Sequence, residues 1–261
     1  MILILGGSSE IYPISQALTN KRLKVLVSTA TNAHLILPQK VRRRCGRLTA
    51  TEIIKLCLDA NVRLMIDAGH PFAHELHANC LEASNKMELP LLRFVRPSGK
   101  LPASAIKASA HNEAAKIAFS YAGPVLLTIG SRNLAPYVLH ARKTNIPILA
   151  RVLNHHESIA ACINAGLSEY EFIVGRGPFS VKDNTNLIHK HKAYVLVSKD
   201  SGQAGGLEAK IQAAQETNCK IIVVTRNNTA GTNGFSEINP LVTAAQIIYN
   251  SSQSIIPIDV H

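Results

Sequence analysis

The stretch whose residue types offer the most chemistry is residues 199–210, which begins and ends with a lysine. It contains three glycines: Gly202, Gly205 and Gly206. An apolar run, 193–197, precedes it and a helical pattern follows, so the glycines lie where a strand gives way to a helix. Free backbone N–H groups and the positive helix end bind anions at such turns. A tight turn with solvated lysines explains this stretch alone equally well.

A second glycine turn follows the apolar run 2–5 and leads into another helical pattern. Gly6 and Gly7 would let the backbone approach a pyrophosphate closely, and Ser8 would supply a hydroxyl. The turn lacks the full Gly-x-Gly-x-x-Gly spacing of the dinucleotide fingerprint, so a plain strand-to-helix turn stays open as the alternative.

Hydroxyl side chains follow the next apolar run, where NAD-binding proteins usually carry an acidic residue for the ribose hydroxyls. This chain has Ser28, Thr29 and Thr31 there and no carboxylate. Because a carboxylate would repel a 2′-phosphate, its absence favours NADP(H) over NAD(H). Hydroxyl residues are also common in surface loops that bind no ligand.

His70 and Pro71 follow an apolar run that ends at Asp67. They open a helical pattern that points at the crevice in which the Gly6-Gly7 turn would bind a ligand. Histidine ionises near neutral pH, so His70 could bind a ligand or donate a proton, although a lone histidine more often packs or caps. His74 and His77 follow at helical spacing. Without a third ligand, they predict a solvated helix face and no metal site.

Lysine and arginine (28) exceed aspartate and glutamate (17) among the 261 residues, which gives a formal net charge of +11. Such an excess favours nucleic acid, an anionic membrane or a small polyanion as partner. The basic residues are scattered, with Arg42-Arg43-Arg44 as the longest run, and aromatic residues make up only 5%. A stacking platform for nucleic acid is therefore poorly supported, and a multiply charged small ligand fits at least as well.

Five cysteines, an odd number without Cys-x-x-Cys spacing, argue against a disulfide framework and a zinc site. The first residues lack the positive flank of a signal peptide, and no apolar run approaches the roughly 18 residues of a membrane span. We expect a cytoplasmic protein with no membrane partner. No heptad or exposed apolar repeat predicts an oligomeric state.

Short β-rich runs alternate with helical patterns, which is typical of βαβ units. Nine runs are predicted as strands: 2–5, 24–28, 63–67, 90–95, 124–129, 146–150, 171–174, 193–197 and 220–224. Their continuous apolar character indicates mostly parallel sheets flanked by helices. A Pro- and Gly-rich break at 96–102 predicts two Rossmann-like α/β domains, 1–110 and 111–261, with the active site in the cleft between them. The final helix, near 241–249, could pack on either.

Nine motifs along the chain together resemble the precorrin-6A and cobalt-precorrin-6A reductases of cobalamin biosynthesis. The motifs are ILILGGSSE (2–10), VSTAT (27–31), CGRL (45–48), IDAGHPFA (66–73), LRFVRP (92–97), LTIGSRNL (127–134), ARVL (150–153), GPFS (177–180) with Asn184, and SKDSG (198–202) with Gly205, Gly206 and Lys210. A generic Rossmann protein would share only the first. The resemblance implies NADPH-dependent reduction of one double bond in an anionic tetrapyrrole, from precorrin-6A to precorrin-6B or between the cobalt forms.

The resemblance also implies roles for individual residues. NADPH would be bound by Gly6, Gly7, Ser8, Ser28, Thr29, Thr31, Asp67, Ala68 and Pro71. The substrate would be bound by Arg93, Arg132, Arg151, Ser180, Lys199, Ser201, Gly202 and Lys210. Arg96 and Arg176 would join the carboxylate-binding cations, some of which we expect to be plain surface charges. The proton that balances the hydride would come from His70, from Lys199 or from solvent.

The chain departs from the family pattern at two places. Ile11-Tyr12-Pro13 stands where Gly or Ala and then a small or basic residue are expected, which alters the phosphate-binding turn. Pro13 is tolerated only in a first helical turn, so we expect the helix to begin near Tyr12. Gly69 stands where a threonine usually precedes His-Pro, which removes a hydroxyl.

Two other functions fit parts of the sequence. A basic α/β module that binds nucleic acid or another polyanion without catalysis would explain the charge, and its binding would weaken steeply with salt. The glycine turns and the missing aromatic platform argue against it. A short-chain oxidoreductase lacks support, because no Tyr-x-x-x-Lys pair occurs.

Overall fold

The computed structural model describes residues 1–32, 34–96, 101–202, 205–226 and 234–251. The strands of this described part are β1 Ile2–Leu5, β2 Val25–Thr29, β3 Arg42–Cys45, β4 Leu64–Asp67, β5 Leu91–Arg93, β6 Ile106–Ala108, β7 Val125–Leu127, β8 Ile148–Val152, β9 Phe172–Val174, β10 Val195–Lys199 and β11 Lys220–Val224. Its helices are α1 Ile11–Asn20, α2 Ala50–Asp59, α3 His74–Met87, α4 His111–Ala118, α5 Ala135–Thr144, α6 His156–Asn164, α7 Val181–Lys190, α8 Leu207–Glu216 and α9 Ile238–Ser251.

The chain divides into two compact units, Met1–Arg96 with Thr229–His261, and Pro97–Asn228. The first unit is a parallel sheet in the order β3-β2-β1-β4-β5. Its order reverses at β1, where Ile4 pairs with Val27 of β2 on one side and Ile66 of β4 on the other. Open α/β sheets bind ligands at the carboxyl ends of strands beside such a reversal. The ends of β1 and β4 are therefore where a cofactor is expected.

Helices cover both faces of this first sheet. Side chains alternate along β1, so Ile2 and Ile4 pack in one core with α1 and α9. Leu3 and Leu5 pack in a second core with α2 and α3. Because both faces are buried, the strand is apolar at every position.

The C-terminal helix belongs to the first unit, so the predicted domain 111–261 is wrong at this end. Leu241, Val242 and Ala245 of α9 are buried in the core that also holds α1. Before this helix, the N–H of Phe235 donates to Arg93 O and the N–H of Val95 donates to Phe235 O, both at 2.8 Å. The chain thus returns to extend the hydrogen bonding beyond β5. The first change of unit lies between Arg96 and Pro97, within the predicted break at 96–102, of which residues 97–100 are outside the described residues. The predicted domain boundary at 110 is therefore also wrong, since β6 pairs with β11 in the sheet of the second unit.

The second unit is a parallel sheet in the order β6-β11-β10-β7-β8-β9, and its order reverses between β10 and β7. Leu126 of β7 and Leu196 of β10 pack in one core with Ile211 of α8. Helix α4 packs against β10 and β11. The carboxyl ends of β7 and β10 are therefore the second place where the topology favours a ligand.

Two strands were missed because their sequence signals are weak. β3 consists of three arginines and a cysteine, but it lies at the edge of its sheet, where charged side chains reach solvent. β6 has only three residues and lies at the edge of the other sheet. The prediction of two parallel α/β domains flanked by helices is confirmed. The location of the active site between them stays a prediction.

Three features are not found in the part of the chain that the structure describes. No helix there has the length and apolar character needed to cross a membrane. No group of His, Cys, Asp and Glu side chains there is arranged to hold a metal ion. All five cysteines are free, and only Cys45 is exposed.

Candidate functional site

The turn after β1 is pressed against the end of β4. The N–H of Gly6 donates to Ser28 O at 3.0 Å, and its φ of +155° lies outside the range that other residues adopt readily. A Cβ atom on Gly6 would overlap the carbonyl of Ala68. The neighbouring Gly7 is exposed, and a Cβ atom there would meet only Thr29 side-chain carbons at 3.9 Å. Gly6 thus maintains the fold, whereas Gly7 leaves the backbone open to a ligand.

This difference predicts separate effects for two matched substitutions. Gly6→Ala is expected to lower the free energy of unfolding by about 2–4 kcal/mol, because the added methyl overlaps buried backbone. Gly7→Ala is expected to change it by less than about 0.5 kcal/mol. Gly7→Ala should nevertheless weaken nucleotide binding, since the methyl blocks close backbone approach. Urea unfolding and nucleotide titration measure the two effects, and equal stability of both variants would contradict the assignment.

Two arginines of β3 lie beside the hydroxyl side chains at the end of β2 and just after it. Arg43 donates from Nε to Thr29 Oγ1 at 3.1 Å and from Nη2 to Thr31 O at 2.8 Å. Arg44 donates from Nη1 to Ser28 Oγ at 3.4 Å. The sequence analysis missed both residues, because the arginine run was not assigned to a strand next to β2. The segment 28–31 therefore has no carboxylate and lies beside two guanidinium groups of β3.

The start of α1 combines an acidic residue with a buried arginine. Helix α1 begins at Ile11, which keeps Pro13 in the first turn as predicted. Glu10, immediately before it, forms an ion pair with Arg96, whose side chain is 9% exposed. Arg96 neutralises this glutamate, and its predicted contact with substrate carboxylates stays a prediction. The pairing removes a charge that would repel a phosphate at the helix N-terminus.

Asp67 organises the turn after β4 through several bonds. Its Oδ1 accepts from the N–H of Gly69 at 3.0 Å, and its Oδ2 lies 2.6 Å from His77 Nδ1 and 3.6 Å from Arg93 Nε. The carboxylate is buried, so these partners compensate its charge. The prediction of a solvated face for His77 is wrong, since its side chain is only 12% exposed and lies against Asp67. The predicted roles of Asp67 in binding NADPH and of Arg93 in binding substrate stay predictions.

His70 is held in the same turn. Its Nδ1 accepts from the N–H of Phe72 at 3.3 Å, and its carbonyl lies 3.1 Å from His77 Nε2. Because Nδ1 accepts, a neutral His70 ring carries its proton on Nε2. A Cβ atom on Gly69 would lie 3.0 Å from the His77 ring, so the missing threonine makes room for that ring. Ser8 is bonded to the same turn, since its hydroxyl donates to Ala68 O at 3.4 Å.

The second unit gathers cations at the carboxyl ends of its strands. Lys199 ends β10, and its Nζ lies 3.9 Å from the position of a Cβ on Gly130. Burial, together with the charge of Arg132, lowers the pKa of Lys199 to about 8. A lysine in this state releases and takes up protons near neutral pH.

Arg151 and Lys210 form a second part of this cationic cluster. Arg151 donates from Nη2 to Asn184 Oδ1 at 2.7 Å, and its guanidinium lies 3.8 Å from the centre of the Phe179 ring. Burial lowers its pKa to about 10. Lys210 donates to Gly205 O at 3.1 Å, and burial, Arg151 and Lys199 lower its pKa to about 8. Buried cations that repel one another in this way favour an anionic ligand.

Three predicted substrate residues shape the backbone around this cluster. Ser180 caps α7, since its Oγ accepts from the Asp183 N–H at 3.1 Å and donates to Asp183 Oδ2 at 2.7 Å. Ser201 is buried against the position of a Cβ on Gly205, so only glycine fits there. Gly202 has a φ of +71°. Their predicted contacts with substrate stay predictions, while Arg132 and Arg176 are exposed at the surface of this unit.

The predicted residues thus form two sets, each described within its own unit. The first unit holds Gly6, Gly7, Ser8, Ser28, Thr29, Thr31, Asp67, Ala68, His70, Pro71 and Arg93. The second holds Arg132, Arg151, Ser180, Lys199, Ser201, Gly202 and Lys210. Their sheets and turns define a protein of the doubly wound α/β class.

The family model for precorrin-6x reductase CbiJ/CobK matches residues 1–246. The chain belongs to this family and is an oxidoreductase, so the family resemblance stated from the motifs is confirmed. A reductase of this kind uses a nicotinamide cofactor.

Named relatives agree with the family. The chain is 28% identical to the cobalt-precorrin-6A reductase of Priestia megaterium, over 87% of this chain and 90% of that protein. It is 31% identical to the cobalt-precorrin-6A reductase of Salmonella typhimurium, over 86% and 87%. A solved structure of CobK precorrin-6A reductase superposes with a TM-score of 0.77 at 21% identity over 99% of both chains, which supports the fold.

Proposed function

We propose that this protein uses NADPH to reduce precorrin-6A or cobalt-precorrin-6A. The observation that carries the cofactor preference is the pair of guanidinium groups, from Arg43 and Arg44 of β3, beside a segment, 28–31, that has no carboxylate. Guanidinium groups bind phosphate through parallel hydrogen bonds, and an adenosine 2′-phosphate is the group that distinguishes NADPH from NADH. The relatives' names support the substrate.

The residues of the first unit fit a dinucleotide. Gly7 leaves its backbone open, and the Glu10 charge is neutralised by Arg96, so a pyrophosphate at the start of α1 meets no free carboxylate from Glu10. NADPH, when bound, supplies the hydride. The chain's task is then to orient the nicotinamide and the acceptor carbon and to exclude water.

The cationic cluster of the second unit suits the substrate. A tetrapyrrole of this pathway carries many carboxylates. Arg151 and Lys210 are buried cations near strand or helix ends, and Lys199, at the end of β10, is partly buried. Substrate carboxylates bound among them would stabilise the protonated form of the two lysines, which burial disfavours. This reaction adds a hydride to one atom and a proton to another. His70 and Lys199 are the candidate proton donors, beside solvent.

The test is a parallel assay with precorrin-6A and cobalt-precorrin-6A, each with NADPH or NADH, followed by loss of nicotinamide absorbance and by mass of the product. We expect the mass of one or both substrates to increase by two hydrogens with NADPH. Much less of this product should form with NADH. No reduction of either substrate would overturn the proposal. Salt-sensitive binding of DNA or RNA in its place would favour the polyanion-binding alternative.

We also propose that the protein acts in the cytoplasm. Its five cysteines are all free, and four of them are buried, which suits a reducing compartment. Fractionation of cells that express the native protein, with the cysteine redox state measured in each fraction, tests this proposal. Recovery mainly from an oxidising compartment would contradict it.

A further inference from the structure

His77 of α3 joins two parts of the turn after β4. Its Nδ1 lies 2.6 Å from Oδ2 of Asp67, the last residue of that strand, and its Nε2 lies 3.1 Å from the carbonyl oxygen of His70. The side chain of His77 is 12% exposed and that of Asp67 is 3% exposed, so the contact between them is shielded from water. The ring thus connects the end of the strand to the far side of the turn.

Gly69 makes this arrangement possible. A Cβ atom at that position would lie 3.0 Å from Cε1 of the His77 ring and 2.9 Å from Cδ2 of Leu76. Contacts as short as these would force the neighbouring side chains to move. The glycine therefore does more than remove a hydroxyl from this turn, since it leaves space for an imidazole with two polar atoms.

The partners of His77 determine where its hydrogens lie. A backbone carbonyl only accepts hydrogen bonds, so Nε2 carries the hydrogen that it donates to His70 O. The partner of Nδ1 is the Asp67 carboxyl group, and at 2.6 Å a proton must lie between the two atoms, because two lone pairs at that separation would repel each other. Each ring nitrogen therefore has a hydrogen in its contact.

The turn that His77 holds also forms the wall of the Gly6-Gly7 turn. A Cβ atom on Gly6 would overlap the carbonyl of Ala68, and the hydroxyl of Ser8 donates to the same carbonyl oxygen at 3.4 Å. A displacement of Ala68 would therefore disturb the residues that are expected to contact a pyrophosphate. Position and order of this turn are thus a condition for nucleotide binding.

We propose that His77 is a positioning residue for the nicotinamide nucleotide, and that its Nε2 bond to the His70 carbonyl holds the turn after β4 in the conformation that binds NADPH. This inference rests on the proposed function for the identity of the nucleotide. The bond to Asp67 has a different effect, since it compensates a buried carboxylate. The two nitrogens of one ring thus have separate tasks, Nδ1 in stability and Nε2 in nucleotide binding.

Two substitutions separate these tasks, because the amide nitrogen of asparagine lies near the position of Nδ1 and that of glutamine near the position of Nε2. His77→Asn should weaken NADPH binding about tenfold, which corresponds to about 1.4 kcal/mol, and lower the melting temperature by less than about 2 °C. His77→Gln should recover most of the NADPH affinity but melt about 3–6 °C below wild type, because Asp67 loses a charge-assisted partner. Isothermal titration and scanning calorimetry measure the two effects.

His189→Asn is the matched control, because His189 is an exposed histidine in the last turn of α7 and lies in the second unit. Neither NADPH affinity nor the melting temperature should change in it. A parallel loss of affinity and stability in both His77 variants would show that His77 only supports the fold, and this would overturn the proposal. NADPH affinity that stays at the wild-type value in His77→Asn would also overturn it.

The hydrogen at Nε2 is tested in the wild-type protein without any nucleotide. We expect ¹⁵N NMR of the histidine rings to show a protonated Nε2 for His77 at pH 7, with the signals assigned by their loss in His77→Asn. An unprotonated Nε2 would overturn the proposal, because the His70 carbonyl would then receive no hydrogen bond from this ring.

The outcomes separate this inference from the proposed function. Wild-type protein that reduces neither precorrin, but binds NADPH with the expected difference between the two variants, would reject the function and keep the positioning role. Wild-type protein that reduces a precorrin, while folded His77→Asn binds NADPH as tightly as wild type, would reject the positioning role and keep the function. Wild-type protein that binds no NADPH would reject both.

Discussion

Replacing Lys210 with methionine is expected to stabilise the protein by about 2 kcal/mol at pH 7 while weakening substrate binding at least about tenfold. Lys210 is 8% exposed, and burial and neighbouring cations lower its pKa to about 8. A shift of that size corresponds to about 3 kcal/mol, offset by about 1 kcal/mol because Gly205 O loses its donor. Urea unfolding and substrate titration measure the two effects.

The gain in stability has a definite pH dependence. An unfolded chain keeps its lysines protonated up to about pH 10.4, whereas folded Lys210 releases its proton near pH 8. Between these values the unfolded state binds more protons, so wild-type stability rises with pH. The advantage of Lys210→Met should therefore be full below pH 8, reach zero near about pH 9.5 and become a deficit of about 1 kcal/mol by about pH 10.4, where only the lost donor to Gly205 O counts.

A control and a contrary outcome complete this test. Lys220 is exposed at the start of β11, so Lys220→Met should change stability by less than about 0.5 kcal/mol both at pH 7 and at about pH 10.4. A Lys210→Met variant that is less stable than wild type at pH 7 would show that the buried ammonium is compensated. A Lys210→Met variant that is more stable than wild type but binds substrate more weakly would show that Lys210 favours substrate binding at the expense of stability.

The alternation of apolar and helical segments was enough to predict the sheets but not the path of the chain. Apolar runs such as 2–5 are buried on both faces, and burial of this kind leaves a direct mark on composition. The return of α9 to the first unit depends on contacts between Leu241 and residues more than two hundred positions earlier. A single sequence carries no local pattern that reports such a contact. Arg42–Cys45 was missed because an edge strand tolerates charges that a central strand excludes.

The candidate site was predictable where glycine or clustered charge gave a local signal. Gly6 and Lys199 are examples, since both follow apolar strands directly. Arg43 gave no such signal, because it lies in an edge strand of three arginines and a cysteine that no apolar run marks. Ser180 shows an ambiguity, since a serine that caps a helix has the same sequence pattern as one that binds a ligand, and its contact with substrate stays a prediction.

Replacing Arg43 with alanine is expected to weaken NADPH binding about a hundredfold and to leave NADH binding nearly unchanged. The Arg43 guanidinium is held by Thr29 Oγ1 and Thr31 O, so it is positioned before any nucleotide binds. A charge-assisted contact of this kind with a 2′-phosphate contributes about 1.5–3 kcal/mol, which NADH cannot gain. Isothermal titration with each nucleotide measures the ratio.

Arg42→Ala is the matched control, because Arg42 lies next to Arg43 on the same edge strand, is exposed, and its loss changes the net charge equally. We expect it to reduce NADPH affinity less than about threefold through the weaker long-range field. An equal loss of NADPH and NADH binding in Arg43→Ala would show that Arg43 only shapes the loop. In that case Arg44, which donates to Ser28 Oγ, becomes the candidate for phosphate recognition, and Arg44→Ala should show the selective loss.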